Sequence, residues 1–451
     1  MIRLPALVSI VCFTVAAFLA HAQTGGEQAE QREPERWQVV QCGTLLTRAD
    51  RPARSNASVI VRNDRIVEVR EGFVGAEQAG APAGSEVTVV DLRGMHVLPG
   101  LIDCHVHLTF ETSPEGRLRT VTDSEADAAI NGVVYARRTV EAGFTTVRDV
   151  GSQGDACFAL RDAINDGRLV GPRVLASGQS ITPTGGHADR TNSFRPDVFG
   201  IPGPIQGVAD GVEACRQAVR NQVKRGADCI KLTATGGVLS NIGAGLEQQF
   251  FDDELKAIVE TAHLLKKKVA AHAHGVHGVN AALRAGVDSI EHGTFLDDES
   301  IALFKQTGAY YVPTITAGKA VETYSKIPGY YIGPVVEKAR TVGPMIQNAF
   351  ERAHKAGVKI AFGTDAGVFP HGENAREFVY MTEAGMSPID CIKAATLNAA
   401  ELLDIADEVG SIEAGKSADL VAVAADPLKD VSELQRVRFV MRAGAVARDE
   451  R

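Results

Sequence analysis

The sequence lacks the features that indicate nucleic-acid binding, a membrane-embedded body or a disulfide-stapled fold. Its 451 residues carry a formal net charge of −9 spread along the chain, and no basic block or acidic tail suggests a nucleic-acid partner. Beyond the first 22 residues, no run is long and apolar enough to span a membrane. The six cysteines beyond that point are scattered without a C-x-x-C pattern, so they do not predict a disulfide framework. What remains is an ordinary soluble composition, with 45% hydrophobic and 23% charged residues.

The first 22 residues, MIRLPALVSIVCFTVAAFLAHA, differ from the rest. A basic residue precedes an apolar run, and the small-x-small triplet AHA ends it, which is the pattern of a secretory signal peptide. We therefore predict a signal peptide over residues 1–22, cleaved before Gln23, and a disordered polar leader over residues 23–35. The alternative is an uncleaved membrane anchor. We expect a periplasmic or secreted protein that has no membrane contact after cleavage.

Two kinds of strand pattern divide the remaining chain. Residues 36–97 predict short β-strands, with a hairpin signal at Asn63-Asp64 between two Val/Ile runs. From residue 98 onward, short apolar strands alternate with amphipathic helical stretches, which is typical of βα units and a parallel sheet. The eight predicted strands of this second region cover residues 100–108, 144–150, 173–178, 228–234, 269–275, 288–293, 310–315 and 359–367.

Eight βα repeats predict an α/β fold with a (β/α)8 TIM barrel over residues 98–407. Residues 408–451 return to strand patterns. We expect them to complete the β-domain begun by residues 36–97, so that one small β-sandwich domain is built from both chain ends.

Potential ligands cluster at the ends of the predicted barrel strands, where such barrels place their active sites. In the stretch GLIDCHVHL, His105 and His107 are two residues apart and therefore lie on the same face of a buried strand. Each could be satisfied by a backbone carbonyl or by a metal ion. Four further predicted strands carry potential ligands at the same end, and these ligands are Lys231, His272, His274, His292 and Asp365. Imidazole and carboxylate ligands suit zinc and similar divalent ions, so the pattern favours a metal site.

Lys231 lies in the apolar stretch CIKLTA, where a charged ammonium is costly. The structural interpretation is a snorkelling or salt-bridged lysine. The functional interpretation is that a neutral amine adds carbon dioxide and gives an anionic carbamate, which has two oxygens and can bridge two metals.

These residues resemble the binuclear amidohydrolase superfamily, which has H-x-H on strand 1, Lys on strand 4, His on strands 5 and 6, and Asp on strand 8. The flanking stretches VLPGLIDCHVHL, IEHGT, FGTDAG and GSIEAGKSADLVAV are also similar to it, and the resemblance covers about residues 36–450. It implies two divalent metal ions, with zinc expected, and frequently a symmetric homo-oligomer.

The resemblance also implies a role for each ligand. His105, His107 and Asp365 would hold one metal, and His272 and His292 would hold the other. N6-carboxylated Lys231 would bridge them together with a hydroxide. Two such metals activate water and polarise a carbonyl, and Asp365 would accept and return the proton.

Two further histidines are candidates for the substrate. His274 lies on the same strand face as His272, so it would contact the scissile carbonyl or a substrate carboxylate; it could also be a structural residue or replace His272 as ligand. His187 follows the third strand in the glycine-rich stretch TPTGGHAD, and we predict that it takes part in substrate recognition.

The stretches KLTATGGVLS, AAHAHG and IEHGT together resemble the branch of Xaa-Pro and related dipeptidases and carboxypeptidases, which includes ochratoxin-degrading amidohydrolases. The resemblance implies hydrolysis of an amide in an N-acyl amino acid or dipeptide with a free carboxylate. For ochratoxin A the products would be phenylalanine and the isocoumarin acid. The alternatives are a cyclic-amide hydrolase of the imidazolonepropionase type, a lactonase, and a non-catalytic protein whose metals are structural.

Overall fold

A computed structural model describes residues 35–242 and 245–451. The predicted signal peptide and all but the last residue of the predicted leader lie outside the described residues. No helix within the described part of the chain is long and apolar enough to cross a membrane.

The described residues contain fourteen strands in three sheets. The strands are β1 (Trp37–Leu45), β2 (Arg54–Arg62), β3 (Arg65–Glu71), β4 (Val87–Pro99), β5 (Leu101–Val106), β6 (Phe144–Asp149), β7 (Arg173–Ala176), β8 (Ile230–Thr233), β9 (Val269–Ala273), β10 (Ser289–His292), β11 (Tyr310–Val312), β12 (Leu420–Val423), β13 (Phe439–Arg442) and β14 (Ala445–Asp449).

Helices lie mainly between the strands of the central region. They are α1 (Gly116–Thr122), α2 (Glu125–Glu141), α3 (Ala156–Asn165), α4 (Pro196–Phe199), α5 (Val212–Lys224), α6 (Asp252–Leu264), α7 (Val276–Ala285), α8 (Asp298–Thr307), α9 (Ile315–Tyr324), α10 (Gly333–Lys355), α11 (Arg376–Glu383), α12 (Pro388–Lys393) and α13 (Ala399–Leu402).

Strands from both ends of the chain form one seven-stranded sheet in the order β14-β13-β12-β4-β1-β2-β3. The predicted hairpin is present, since β2 and β3 pair antiparallel around Asn63, which has a left-handed φ of 55°. The hydrogen bonding of this sheet is continuous because β4 is long: its first part pairs with β1 and its last residues also pair with β12. Buried side chains from β1, β2, β4, β12 and β13 pack in one core, so the continuous sheet is compatible with the predicted sandwich.

The central region is a mixed α/β fold with two parallel sheets, in the orders β5-β6-β7 and β11-β10-β9-β8. Almost every residue of these strands is buried, because helices cover parallel sheets. A parallel bridge between Ile181 and Leu232 connects the two sheets on one side.

The eighth predicted strand, over residues 359–367, contains no regular strand. Instead, Ile360 forms an isolated bridge with Tyr311 of β11 and Ala366 forms one with Val106 of β5. Between these bridges the backbone leaves the extended conformation, since Asp365 has a φ of 62°. We call residues 359–367 the bridging segment.

All six described cysteines are buried and unpaired. Cys104 is fully buried in β5 and Cys229 is 3% exposed beside β8. They pack as small apolar side chains.

Candidate active site

Two clusters of potential metal ligands lie where the parallel strands end. Within each cluster one ligand atom per residue lies within 4.8 Å of the others, and the clusters are His105, His107 and Asp365, and His272, His274 and His292. Both border a cavity of about 560 Å³ that Lys231 and His187 also line. The structure thus brings together all eight residues that the sequence singled out.

In the first cluster, two imidazoles converge on one carboxylate oxygen. Asp365 Oδ1 lies 3.2 Å from His107 Nε2 and 3.5 Å from His105 Nε2. Neither contact has hydrogen-bond geometry, and this oxygen is buried without a hydrogen-bond partner among the described residues. A buried carboxylate oxygen without a hydrogen bond is costly, and a cation between the three atoms would remove that cost.

The backbone is strained where it presents Asp365. Its left-handed φ of 62° is uncommon for a residue other than glycine, and its amide donates to the carbonyl of His105 at 2.7 Å. Gly363 lies so close to β5 that a Cβ there would be 3.1 Å from the His105 Cβ. The bridging segment is therefore held against His105 by a direct backbone contact.

The Nδ1 atoms of His105 and His107 each have a polar partner. His107 Nδ1 lies 2.8 Å from the carbonyl oxygen of Gly151, and His105 Nδ1 lies 2.7 Å from Glu291 Oε2. Such partners fix the ring orientation and leave Nε2 free to bind a metal.

Glu291 is itself held by a buried cation. Arg148 Nη2 lies 2.9 Å from Glu291 Oε1, and both side chains are 0% exposed. The Arg148 guanidinium also donates to the Cys104 carbonyl and to the Ser289 hydroxyl. This Arg148–Glu291 pair connects β6 with β10, and its carboxylate also contacts His105.

In the second cluster, hydroxyl groups orient two of the three rings. His274 Nδ1 lies 2.8 Å from Thr294 Oγ1, and His292 Nδ1 lies 2.7 Å from Thr314 Oγ1. The His274 and His292 rings stack with their centroids 5.0 Å apart. His292 has a left-handed φ of 71°, so strained backbone presents a residue in each cluster.

Four of the five imidazoles in these clusters are held in the neutral form that can bind a metal, whereas the pKa of His107 is raised, because the Asp365 carboxylate outweighs the effect of burial. Burial lowers the pKa of His105, His272 and His292 well below the ordinary value. Burial also lowers the pKa of His274 to about 3. A neutral imidazole keeps a lone pair on one nitrogen, which is what metal coordination requires.

Lys231 is 3% exposed and lines the cavity with the two clusters. Its amine forms no hydrogen bond or ion pair within the described residues. Burial lowers the pKa of Lys231 to about 8, which increases the share of neutral amine near neutral pH. The structure therefore contains a buried, unpaired and partly neutral amine between two sets of metal ligands.

His187 lies against the second cluster, with its ring stacked on His272 at a centroid distance of 4.2 Å. Gly237 makes this position possible, because a Cβ there would lie 2.1 Å from the His187 ring. Burial lowers the pKa of His187 to about 3, and its buried Nδ1 has no hydrogen-bond partner among the described residues.

Sequence reasoning missed the residues that support these ligands. Asp103 accepts hydrogen bonds from the His105 amide, from Thr364 and from Asn374. The Arg148–Glu291 pair was also missed. A signal was available, since each is a charged residue inside an apolar strand and must therefore have a buried partner.

Comparisons with known proteins identify the family of this chain. The amidohydrolase family model matches residues 96–447. Ochratoxinase of Aspergillus niger is 35% identical over 423 residues, which cover 89% of this chain and 84% of the relative. Among solved structures, a Xaa-Pro dipeptidase with methionine bound in its active site matches with a TM-score of 0.86 and 44% identity, over 91% of this chain and 99% of the other. A prolidase complexed with N-methylphosphonate-L-proline matches with a TM-score of 0.81 and 31% identity, over 92% and 100%.

The fold and the clustered imidazoles, carboxylate and lysine define a metal-dependent hydrolase site. The chain belongs to the amidohydrolase family and is a hydrolase that acts on amide bonds.

Proposed function

We propose that this protein hydrolyses the amide bond of an N-acyl amino acid or dipeptide that has a free carboxylate. The convergence of two ligand clusters and the unpaired Lys231 amine on one cavity carries the proposal. Relatives that share most of the chain's length include an ochratoxinase and a Xaa-Pro dipeptidase. Ochratoxin A, cleaved to phenylalanine and the isocoumarin acid, is one specific candidate substrate.

The metal pair would be held by six residues. His105, His107 and Asp365 would bind one divalent ion, zinc by expectation, and His272 and His292 would bind the second. The unsatisfied Asp365 oxygen between two Nε2 atoms fits a cation at the first position. Such a pair, when bound, lowers the pKa of water and polarises a carbonyl.

Lys231, as N6-carboxylysine, would bridge the two positions. The amine lies in a buried site with no hydrogen-bond partner among the described residues, where carboxylation would replace an unpaired cation by an anionic ligand. A Lys231→Ala variant should bind less metal. Restoration of metal binding by propionate, which supplies a carboxylate to the vacated space, would support this role.

The side chains around the metals would transfer the proton and contact the substrate. Asp365 would take a proton from the attacking water while the oxygen of that water bonds to the carbonyl carbon of the substrate. It would then deliver that proton to the leaving amine as the C–N bond breaks. His274, whose Nδ1 is fixed by Thr294, would use its other nitrogen on the scissile carbonyl, and His187 would contact the substrate beside it.

We also propose that the two parallel sheets and the bridging segment form one eight-stranded barrel. The isolated parallel bridges between Ile181 and Leu232, Tyr311 and Ile360, and Val106 and Ala366 support ring closure. Neighbours with TM-scores of 0.81–0.86 over more than nine-tenths of the chain support it as well.

The test is metal content and product release measured on the same preparation. The protein is loaded with zinc, metal per chain is counted by elemental analysis, and amino-acid release is followed by mass spectrometry. The substrates are dipeptides ending in Pro, Phe, Arg or Lys, N-acyl-phenylalanines including ochratoxin A, and lactone and cyclic-amide controls. Two metals with release of a carboxyl-terminal amino acid would support the proposal.

Other outcomes separate the parts of the proposal. Cleavage of lactones or cyclic amides alone, with two metals bound, would overturn the substrate class and keep the metal site. An Asp365→Asn variant that retains both metals and near wild-type turnover would overturn the proton-transfer role of Asp365.

A further inference from the structure

The two walls of the active-site cavity differ in chemistry. One wall is apolar and consists of Phe110, Val321, Val342, Ile346 and Val368. The wall formed by the loops after β6 and β7 and by the start of α2 is mixed, since it has the apolar side chains of Phe199, Ile201 and Val208 beside the charged side chains of Glu125, Asp189 and Arg190. A ligand that spans the metal clusters would therefore meet an apolar wall at one end and charged side chains at the other.

Arg190 is the permanent cation of this cavity. Among the described lining residues, only Lys231 and Arg190 are lysine or arginine, and Lys231 lies between the metal-ligand clusters. The nearby imidazoles carry a positive charge only when protonated, whereas a guanidinium is always charged. A carboxylate that binds in this cavity away from the metal-ligand clusters and from Lys338 therefore finds a fixed counter-charge at Arg190.

The Arg190 side chain is exposed, and it forms no ion pair or hydrogen bond within residues 35–242 and 245–451. This is unusual for its surroundings, since Arg195 on the same loop is paired with Asp197. The carboxylate of the neighbouring Asp189 has other hydrogen-bond partners. Its carboxylate accepts from the Gly185 amide at 2.9 Å and from the amide and hydroxyl of Thr191.

The loop that carries Arg190 is held in place on both sides. The His187 amide donates to Gln249 Oε1 at 2.9 Å, and Asn192 Nδ2 donates to the Gly186 carbonyl at 2.6 Å. Together with the Asp189 contacts, these bonds fix the backbone around Arg190 before substrate arrives. A preorganised loop loses little entropy when it binds a ligand.

We propose that Arg190 binds the free carboxylate of the substrate and is a specificity-determining residue of this enzyme. The proposal rests on the proposed function and deepens it, because it assigns an orientation. The carboxylate lies against the wall that contains Arg190, and the apolar part of the substrate lies against α9 and α10. A guanidinium matches a carboxylate with two parallel hydrogen bonds.

Glu125 on the same wall provides a second test, in which removal of a charge should have the opposite effect on the anionic substrate. Its carboxylate accepts from the Asp155 amide at 3.1 Å and forms no ion pair with Arg190 among the described contacts. A negative charge near the carboxylate site opposes binding of an anion. Removal of this charge should therefore favour the anionic substrate, whereas removal of the Arg190 charge should disfavour it.

The experiment compares each cleaved substrate with its neutral isostere. N-acetyl-L-phenylalanine, or the best dipeptide of the panel, is assayed beside its C-terminal carboxamide with wild type and with Arg190→Gln. Charge-assisted hydrogen bonds contribute about 1.5–3 kcal/mol, so we expect Arg190→Gln to lower kcat/KM for the carboxylate by roughly 10- to 100-fold. For the carboxamide we expect little change. Arg195→Gln is the matched control and should behave as wild type.

The outcomes distinguish the two proposals. If wild type prefers the carboxylate and Arg190→Gln loses that preference while its metal content is unchanged, the assignment holds. An Arg190→Gln variant that keeps the full preference overturns it, as does an equal loss on both substrates. If wild type releases no amino acid from any panel member, the proposed function is wrong, and the assignment of Arg190, which rests on it, is wrong as well. Glu125→Gln should lower KM for the carboxylate, and a rise would count against the assignment.

Discussion

Replacing Glu291 by glutamine removes the carboxylate that pairs with the buried Arg148 guanidinium while it keeps nearly the same side-chain volume. Both side chains are 0% exposed and 2.9 Å apart, so water cannot solvate the charge that remains on Arg148. Removal of one partner of a buried pair costs about 3–5 kcal/mol. The total stability of a domain is about 5–15 kcal/mol, so we expect Glu291→Gln to be folded but strongly destabilised.

The same substitution should weaken metal binding. Glu291 Oε2 lies 2.7 Å from His105 Nδ1, and loss of such a partner reduces metal affinity by about 10- to 100-fold. The measurements are urea unfolding of the metal-free protein at pH 7 and a zinc titration of the folded protein. A decisive comparison is the double variant Arg148→Met with Glu291→Gln, which has no unpaired buried charge. It should be more stable than Glu291→Gln alone.

Two results would refute this reasoning. A loss of less than about 1 kcal/mol in Glu291→Gln would show that the Arg148 charge is not confined to a dry site. A double variant whose destabilisation equals the sum of the two single variants would show that the two charges do not interact, since contacting residues normally couple by about 0.5–3 kcal/mol.

Three further predictions concern the rest of the site. His272→Asn should lose about one metal per chain whereas His274→Asn should keep both, and elemental analysis that gives the reverse would exchange the two roles. Lys338 of α10 donates to the Gly237 carbonyl at 2.6 Å, so Lys338→Met should loosen the loop after β8 and raise KM more than it lowers kcat. Hydrogen exchange of that loop should rise, and unchanged exchange would contradict the role of the amine. Burial raises the pKa of Glu377 from its ordinary 4.5 to about 8, so the native state binds more protons than the unfolded state between these values. Stability should therefore fall as pH rises through that window, and Glu377→Gln should make the fall shallower; an unchanged slope in unfolding experiments would contradict this.

The sequence predicts the strands that carry the site because their signals are local. The spacing of His105 and His107 places both on one strand face, and seven of the eight predicted ranges contain a regular parallel strand. Lys231 stands out because it is a charged residue in an apolar strand. These features depend on neighbouring residues alone, so they can be recognised without tertiary information.

Other parts of the site depend on contacts between distant segments. Arg148 and Glu291 are 143 positions apart, and no local pattern indicates that they pair. The left-handed backbone of Asp365 is imposed by its contact with β5, which is why the predicted eighth strand is not regular. The pairing of β4 with both β1 and β12 is a further long-range contact, and no local pattern indicates its register.

The shared use of β4 also has a consequence for synthesis of the chain. Pro99 at the end of β4 pairs with Leu420 of β12, and at about 5–20 residues per second the roughly 320 residues between them take about 15–60 s to translate. During that interval the edge of β4 that β12 later covers has no strand beside it, and open edges invite pairing with other chains. A chain that ends before residue 420 would keep this edge open permanently, so translation errors near the 3′ end of the message should yield aggregates rather than shortened enzyme.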